Sequence, residues 1–508
     1  MVLIDMLEEN KNKKRLSTGQ LLHSIFKNNW EEKFLFDGIN DKSFSYEEFF
    51  TLVLRYKKKL QEIGLQKNDY VCLLMSNSVE LVALYFASLL MQLVVIPIDP
   101  TKNKNEINEI LSYVNYKTTI CDTADHQFIP NSINVKNFNN SILKNDINSN
   151  NLDIFIELDY DSLFLITFTS GTTGTPKGVM HSFNNLILSA LAFNKKFNFD
   201  KKNIFYHNLP MSYMAGILNL IILPFVSESK IVLGERFSIS NIATFWDNPI
   251  KYSVNTFWFI PTILALLLKL DRGTKGVNYA SNIEVIGCVG TAPLSHVTKT
   301  AIEEKYNISL YESYGLSETL FVTTNSPRNN NEYSTGQLLE EAELIFCNDD
   351  EILINVPWMF LGYINQEKKQ FFKNGKYVSG DIGETTQNGF LTITGRKKDL
   401  IIKGGINISP KKIENFINEY NVFNENVILG IEDPYLGEKT VCFFVPKEHP
   451  YNENMNKILN LQITTNLGRD YGIDQFVEIE QIPKNINGKV DNSKIREIYK
   501  MKTNAHRD

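Results

Sequence analysis

The sequence predicts an α/β protein with a large multi-layer N-terminal α/β domain and a small, mobile α+β C-terminal domain. Length is the first reason, because 508 residues exceed what one hydrophobic core usually organises. The alternation of helix and strand patterns is the second, since it is typical of largely parallel sheets. The third is a compact unit of different pattern after Gly395. The predicted boundary lies near Lys398 and divides residues 1–397 from residues 398–508.

The composition is that of an ordinary globular protein. Hydrophobic residues make up 43% and charged residues 22%, and the net charge of -6 gives no general electrostatic reason to bind nucleic acid. No stretch approaches the roughly 18 uninterrupted apolar residues of a membrane span. The N-terminus also has no apolar core of signal-peptide length. The sequence therefore predicts a cytoplasmic protein without a membrane span.

The first domain begins with clear helix and strand signals. Ser45 and Glu48 have capping-box spacing and open a helical run. The strand YVCLLM, the apolar helix SVELVALYFASLLMQL and the strand VVIPIDP follow. Residues 131–160 are rich in Asn, which predicts a surface loop or spacer without chemistry. The α/β pattern resumes at SLFLITFT and changes to hairpins over residues 341–394, with turns at residues 348–350 and 388–389.

The second unit opens with a helix signal of its own. Ser409 is the predicted N-cap, and Pro410 occupies the first helical position. The strands ENVILGI and TVCFFVP, another helix and VEIEQIP then complete a small α+β domain. The predicted buried face of the first helix consists of Ile413, Phe416, Ile417 and Tyr420.

The segment TSGTTGTPKGV at residues 169–179 has the composition of a phosphate-binding loop. Its glycines let backbone N–H groups turn toward an anion, its hydroxyls donate hydrogen bonds, and Lys177 supplies charge. A strand enters the loop and a helix is predicted to follow it. Pro176 excludes the Walker pattern, because it stands where that pattern needs a second glycine. The predicted contacts in the loop are Thr169, Ser170, Gly171, Thr172, Thr173, Gly174 and Lys177.

Together with four later motifs, this loop resembles the adenylate-forming superfamily. That superfamily comprises acyl-CoA synthetases, aryl-CoA ligases, luciferases and the adenylation domains of peptide synthetases. The later motifs stand in the family's order and separation, so the resemblance covers nearly the whole chain. They are YESYGLSET (311–319), YVSGD (377–381), GRKKDLIIKGG (395–405) and PKNINGK (483–489).

The resemblance implies a binding site for ATP and Mg²⁺. The loop would clamp the β- and γ-phosphates, Tyr314 would stack on adenine, and Gly315 would be a further nucleotide contact. Glu318 resembles the family's magnesium-binding carboxylate, which suits a cation that bridges phosphates. Asp381 resembles the ribose ligand, and Arg396 resembles a second ribose or phosphate contact.

The resemblance also implies a catalytic lysine and a domain rotation. Lys489 would bridge the carboxylate oxygen and the α-phosphate, where negative charge builds up. A thiol then needs access to the same site, so the small domain is expected to rotate about a hinge at Lys398. After rotation, Gly404 and Gly405 would leave room for a pantetheine arm and form the thiol tunnel.

The acyl pocket is predicted around NLPMSYMAG at residues 208–216. Tyr213 stands where many acyl-CoA ligases carry histidine, and Met214 stands where amino-acid-activating domains carry aspartate. A buried ammonium without a counter-charge is costly, so an α-amino acid is disfavoured and an apolar or aromatic acid is expected. Gly216 would leave depth, and Gly290 and Thr291 would form another wall.

The predicted function is ATP-dependent activation of a fatty or aryl acid to acyl-AMP, followed by transfer to a thiol. Coenzyme A and phosphopantetheine on a carrier protein both stay open as acceptors. The ending NGKVD resembles peptide-synthetase domains, whereas LIIKGGINISPKKIE resembles CoA ligases. A second alternative, from another class, is a non-catalytic nucleotide-binding scaffold. Retention of Lys489, Glu318 and Asp381 argues against it.

Replacing Lys489 with alanine is expected to separate the two half-reactions. Lys489→Ala should abolish adenylate formation, because the charge on the α-phosphate loses its partner. It should largely spare thioester formation from preformed acyl-AMP. Pyrophosphate exchange and single-turnover thioester formation measure the two steps. Equal loss of both would contradict the assignment of Lys489 and of the hinge.

Overall fold

The fold is taken from a computed structural model. It describes residues 16–123, 129–139, 151–169, 176–348, 350–447, 451–452, 454–484 and 490–504. The α-helices cover Thr18–Asn28, Tyr46–Glu62, Val79–Leu90, Lys104–Ser112, Lys136–Asn139, Phe183–Phe197, Leu223–Val226, Asp247–Tyr252, Pro261–Leu270, Lys275–Ala280, His296–Tyr306, Pro410–Glu419, Asn454–Asn466 and Asn492–Asn504. A π-helix covers Ala215–Ile222, and 3-10 turns cover Leu152–Phe155, Ile239–Thr244, Lys368–Phe371, Lys397–Asp399 and Arg469–Tyr471.

The strands are numbered along the chain. The first fourteen are β1 (Lys33–Asp37), β2 (Lys42–Ser45), β3 (Tyr70–Leu74), β4 (Val94–Ile98), β5 (Thr118–Cys121), β6 (Ser132–Asn134), β7 (Leu163–Thr169), β8 (Lys177–Ser182), β9 (Ile204–His207), β10 (Lys230–Leu233), β11 (Thr256–Phe259), β12 (Ile286–Val289), β13 (Ser309–Leu316) and β14 (Leu320–Thr324). The others are β15 (Gln337–Leu338), β16 (Glu343–Phe346), β17 (Glu351–Asn355), β18 (Gly362–Tyr363), β19 (Phe372–Lys373), β20 (Lys376–Thr385), β21 (Leu391–Arg396), β22 (Ile401–Lys403), β23 (Ile406–Ile408), β24 (Phe423–Asp433), β25 (Gly437–Pro446) and β26 (Gln475–Glu478).

Two large sheets make up most of the structure. The first has the order β15-β14-β13-β12-β11-β9-β10-β1-β2, and the second β18-β8-β7-β4-β3-β5-β6. The central strands of both are parallel, and antiparallel strands lie at both edges of the first sheet and at the β18 edge of the second. Helices and sheets share a core rich in aromatic side chains, including the fully buried Trp258 and Trp358. The predicted α/β layers with largely parallel strands are confirmed.

Two smaller sheets follow. In one, β16 pairs antiparallel with β17, and β20 with β21, on either side of the two predicted hairpin turns, and β20 also pairs antiparallel with β17 and β19. The other contains β22 to β26, beginning at Ile401. Two separate apolar clusters join this sheet to helices, one around Ile413 of the helix Pro410–Glu419 and one around Ile495 of the helix Asn492–Asn504. This arrangement fits a second unit near the expected position, and the boundary at residues 397 and 398 stays a prediction.

The predicted helix N-caps Ser45 and Ser409 are confirmed. The Ser45 hydroxyl accepts a hydrogen bond from the Glu48 amide at 3.1 Å, and the Glu48 carboxylate accepts one from the Ser45 amide at 2.8 Å. Ser409 caps the helix that begins at Pro410. One expected core position of that helix is wrong. Tyr420 follows the last helical residue and is 40% exposed, because the chain leaves the helix before completing another turn over the sheet.

The segment after the predicted phosphate loop is a strand, so the expected helix at that place is wrong. β8 pairs antiparallel with β7, with Lys177 opposite Thr169, and the helix begins only at Phe183. The reason is tertiary, because β18 pairs with the other edge of β8 and gives the segment partners on both sides. The predicted loop therefore joins two antiparallel strands.

The Asn-rich segment is also more ordered than expected. Residues 132–134 form β6, which pairs with β5 at the edge of the second sheet. A helix over Lys136–Asn139 and a 3-10 turn over Leu152–Phe155 follow, and Phe155 is fully buried. The expectation of a surface loop or spacer is therefore wrong for these residues, since a free sheet edge provides hydrogen-bonding partners for a polar strand.

Candidate active site

The predicted ribose contacts meet at one buried carboxylate. Arg396 Nε donates to Asp381 Oδ1 at 2.8 Å, and the Tyr314 hydroxyl donates to Asp381 Oδ2 at 2.7 Å. Asp381 and Arg396 are register partners on β20 and β21, whereas Tyr314 lies on β13 of the first large sheet. The Asp381 side chain is 3% exposed and that of Arg396 is 42% exposed. Three residues from distant motifs thus form one site.

The Tyr314 hydroxyl is held as a hydrogen-bond donor. Burial, followed by the negative charge of Asp381, raises the pKa of Tyr314 well above its usual range. The phenol therefore stays protonated at neutral pH and anchors the ring through its hydroxyl. Stacking of this ring on adenine stays a prediction.

The predicted magnesium carboxylate contacts a tyrosine that the sequence analysis did not select. The Tyr363 hydroxyl donates to Glu318 Oε1 at 2.5 Å and lies 3.0 Å from the Tyr377 hydroxyl. Tyr363 and Tyr377 are buried, and burial raises the pKa of both phenols. Because Tyr363 donates its proton to Glu318, the Tyr377 hydroxyl donates in turn to the Tyr363 oxygen. The partly buried carboxylate has the hard oxygen chemistry that suits Mg²⁺.

Lys177 lies between two aromatic rings. Its Nζ is 5.3 Å from the Tyr363 ring centroid and 5.3 Å from that of Phe371. Within the described part of the chain, no carboxylate lies in salt-bridge distance of this ammonium. Lys177 and Glu318 therefore approach the same tyrosine, so the predicted phosphate-binding lysine and the predicted magnesium carboxylate lie close together.

The backbone of the predicted acyl-pocket segment is held by hydrogen bonds from residues next to the second large sheet. Asn77 Nδ2 donates to the Leu209 carbonyl at 2.7 Å, and the Met211 amide donates to Asn77 Oδ1 at 2.9 Å. The Tyr85 hydroxyl donates to the Met211 carbonyl at 2.8 Å. These bonds fix the backbone that leads into Tyr213.

Tyr213 lies beside the buried carboxylate of Asp99, whose ion pair with Arg236 the sequence analysis missed. Arg236 donates to Asp99 Oδ1 at 2.8 Å, and Thr101 donates to the same oxygen. Burial and the charge of Asp99 raise the pKa of Tyr213 to about 12, so its hydroxyl is neutral. A signal was present, because Asp99 directly follows a fully apolar strand, where parallel sheets place ligand sites.

A different structural feature accompanies each small residue of the predicted pocket. A Cβ at Gly216 would meet the Pro210 carbonyl oxygen at 2.1 Å, so backbone packing alone requires glycine there. A Cβ at Gly290 would lie 3.1 Å from Ser313 Oγ. Thr291 adopts φ 74°, which is unfavourable for a β-branched residue. Such strain is typical of functional loops.

The other predicted site residues lie in loops and turns. Thr169 ends β7, and a Cβ at Gly315 would meet the Leu320 carbonyl oxygen at 1.8 Å. Lys398 lies in a 3-10 turn, and Gly404 and Gly405 form the left-handed turn between β22 and β23. Ser170, Gly171, Thr172, Thr173, Gly174 and Lys489 lie outside the described residues. The roles assigned to all these residues stay predictions.

Two buried histidines, also missed, fix backbone around the site. His181 Nε2 lies 2.6 Å from the Ser317 carbonyl oxygen, next to Glu318. His207 Nε2 lies 3.0 Å from the Gly216 carbonyl oxygen. Burial lowers the pKa of each from 6.5 to about 4, so both are neutral at pH 7. Each neutral ring can donate to its carbonyl partner from Nε2.

Comparison with known proteins identifies the family. The profile of the AMP-binding enzyme matches residues 27–364, and that of the AMP-binding enzyme C-terminal domain matches residues 412–489. The chain belongs to the AMP-binding enzyme family, as the motifs predicted. It is 28% identical over 476 residues to 2-succinylbenzoate–CoA ligase of Listeria monocytogenes, covering 92% of this chain and 97% of the relative. It is 26% identical to sulfoacetate–CoA ligase of Cupriavidus necator, covering 66% and 67%.

Solved structures share the fold. ATP-bound MatB from Rhodopseudomonas palustris superposes with a TM-score of 0.80 at 22% identity, covering 95% of this chain and 99% of that one. The MenE o-succinylbenzoate CoA synthetase of Bacillus subtilis, in complex with its acyl-adenylate, gives a TM-score of 0.77 at 22% identity, covering 94% and 97%. The predicted fold class is confirmed. Across the described ranges, no helix combines the length and apolarity needed to span a membrane.

The buried histidines predict an acid-sensitive fold. Their folded pKa of about 4 lies below the unfolded value of 6.5, so the unfolded chain binds more protons between these pH values. The free energy of unfolding should fall as the pH decreases from 6.5 to 4, by up to about 1.4 kcal/mol per pH unit for each histidine.

Urea unfolding at several pH values measures this dependence. His207→Gln should flatten the slope relative to the wild type, because it removes one of the two titrations. His296→Gln is the matched control, since the His296 side chain is 39% exposed. Equal slopes in His207→Gln and the wild type would contradict the account.

Proposed function

We propose that this enzyme activates a carboxylic acid with ATP to give acyl-AMP and pyrophosphate, and then transfers the acyl group to the thiol of coenzyme A. The observation that carries the proposal is the convergence of Tyr314, Asp381 and Arg396 on one set of contacts, with Lys177 and Glu318 on another. The first set suits a nucleoside, and the second suits a polyphosphate with its cation. The names of the relatives as CoA ligases support the thioester step.

In the first half-reaction, an oxygen of the acid attacks the α-phosphorus and the bond to pyrophosphate breaks. Lys177 would offset charge on the leaving pyrophosphate, and Asp381 would accept hydrogen bonds from ribose hydroxyls. Glu318 would hold Mg²⁺, which supplies charge neutralisation on the phosphates when it is bound. Lys489 is the candidate for the developing charge on the acid oxygen and the α-phosphate.

In the second half-reaction, a thiol sulfur attacks the acyl carbon and AMP leaves with one oxygen of the original acid. Lys489 must leave the site to admit the thiol, which is why a rotation of residues 398–508 about Lys398 belongs to the proposal. Gly404 and Gly405 would then line the thiol path. Both have positive φ and open space where a Cβ would stand, which supports a role in close approach.

The residues of the predicted pocket favour some classes of carboxylic acid over others. Met214 offers no counter-charge for an ammonium group, so an amino acid is disfavoured. An aryl or fatty acid agrees with relatives named for 2-succinylbenzoate and for medium-chain fatty acids. The names 2-succinylbenzoate and sulfoacetate each describe an acid with a second anionic group, so such acids belong in the substrate panel.

ATP–pyrophosphate exchange without any thiol tests the proposal. Exchange should require Mg²⁺ and should respond to aryl or fatty acids, with amino acids inactive. Asp381→Ala should raise the KM for ATP by tenfold or more, on the order of 1.4 kcal/mol, because Arg396 and Tyr314 lose their shared partner. Exchange with no acid class, or Asp381→Ala with an unchanged KM for ATP, would contradict the proposal.

A further inference from the structure

Tyr363 contacts both charged groups that the proposed polyphosphate site needs. Its hydroxyl donates to the Glu318 carboxylate, and its ring lies 5.3 Å from the Lys177 ammonium. It reaches this position through β18, where it is the register partner of Val179, two residues from Lys177. A single buried side chain thus links the lysine of the phosphate loop to the predicted metal carboxylate.

Without such a residue, the two charges would be expected to pair. Lysine has a long, flexible stem, and an ammonium near a partly buried carboxylate gains Coulomb energy by closing to salt-bridge distance. Such a salt bridge would leave neither group available to bind the nucleotide or its cation. In this structure the ring face attracts the ammonium, and the hydroxyl edge binds the carboxylate. The two attractions act in different directions and keep the charges apart.

Neighbouring aromatic residues fix the Tyr363 ring. Phe371 packs against it edge to face with centroids 4.5 Å apart, and its own ring lies 5.3 Å from the Lys177 ammonium. The Tyr377 hydroxyl lies 3.0 Å from the Tyr363 hydroxyl on the other side. Tyr363 is 3% exposed, so its rotamer is set by packing before any ligand binds.

We infer that Tyr363 is a positioning residue that holds Lys177 and Glu318 apart and oriented for a Mg²⁺·ATP complex. This inference rests on the proposed function, because it assigns these two charges to the polyphosphate and its cation. A hydrogen-bond partner that orients a metal ligand typically contributes about tenfold to metal affinity or more. The hydroxyl of Tyr363 should therefore act on Mg²⁺ dependence rather than on recognition of the acid.

The test compares Tyr363→Phe with the wild type in Mg²⁺ titrations of ATP–pyrophosphate exchange. The variant keeps the ring beside Lys177 and removes only the bond to Glu318. The Mg²⁺ concentration for half-maximal exchange should rise about tenfold, with the KM for the acid unchanged and kcat largely recovered at saturating Mg²⁺. Calorimetry should give the same loss for Mg²⁺·ATP binding, without turnover.

Two further variants test whether a general loss of packing, rather than loss of the bond to Glu318, explains the effect. Tyr160→Phe removes another buried tyrosine hydroxyl, one that donates to the Phe155 carbonyl away from the site, and should leave Mg²⁺ dependence unchanged. In a Glu318→Gln background, Tyr363→Phe should have little further effect, because its partner carboxylate is absent. Independent, additive effects of the two changes would overturn the inference.

The outcomes separate this inference from the proposed function. A wild-type protein that exchanges and binds Mg²⁺·ATP, with a Tyr363→Phe variant of identical Mg²⁺ dependence, overturns the role of Tyr363 alone. A wild-type protein that neither exchanges with any acid nor binds Mg²⁺·ATP overturns both. If Tyr363→Phe raises the KM for the acid and leaves Mg²⁺ binding intact, the residue belongs to the acyl pocket and the inference is overturned.

Discussion

An ATP site must keep opposite charges available before its ligand arrives, and most of the local architecture serves that constraint. Lys177 and Glu318 both contact Tyr363, on its ring and its hydroxyl respectively. The pairing of β8 between β7 and β18 brings the lysine to this place. His181 binds the carbonyl of Ser317 and so fixes the backbone next to the glutamate. Among the described residues, the two charges contact neutral aromatic groups, namely the rings of Tyr363 and Phe371 and the Tyr363 hydroxyl, as this constraint requires.

At the proposed nucleoside and acid ends of the site, by contrast, the charged side chains already form ion pairs. Asp381 forms an ion pair with Arg396 and accepts a hydrogen bond from Tyr314, which fixes the carboxylate that we propose as the ribose contact. Asp99 is neutralised by Arg236 beside Tyr213. Ion pairs of this kind lower the net charge that a ligand meets and fix the orientation of the carboxylate. The Arg396 side chain is 42% exposed, so it is accessible for the nucleotide contact that we propose.

Local sequence signals predicted much of the fold, and the failures share a cause. Ser45 and Ser409 were predicted as caps because capping depends on a few neighbouring residues. The strand at residues 177–182 was missed because its second partner, β18, lies about 180 residues later. The motifs supplied Asp381, Tyr314 and Glu318, whereas Tyr363 acts only through tertiary contacts that no local pattern encodes. Asp99 could have been predicted from the sequence, since it directly follows an apolar parallel strand.

Transfer of oxygen from the acid tests the central claim most directly. The enzyme would be supplied with ATP, Mg²⁺, coenzyme A and an accepted acid whose carboxylate carries ¹⁸O. Because an acid oxygen attacks the α-phosphorus and then leaves with AMP, the account predicts one ¹⁸O in the phosphate of each AMP formed. Mass spectrometry of the products measures it. Label in inorganic phosphate, or AMP without label alongside thioester formation, would contradict an acyl-adenylate pathway.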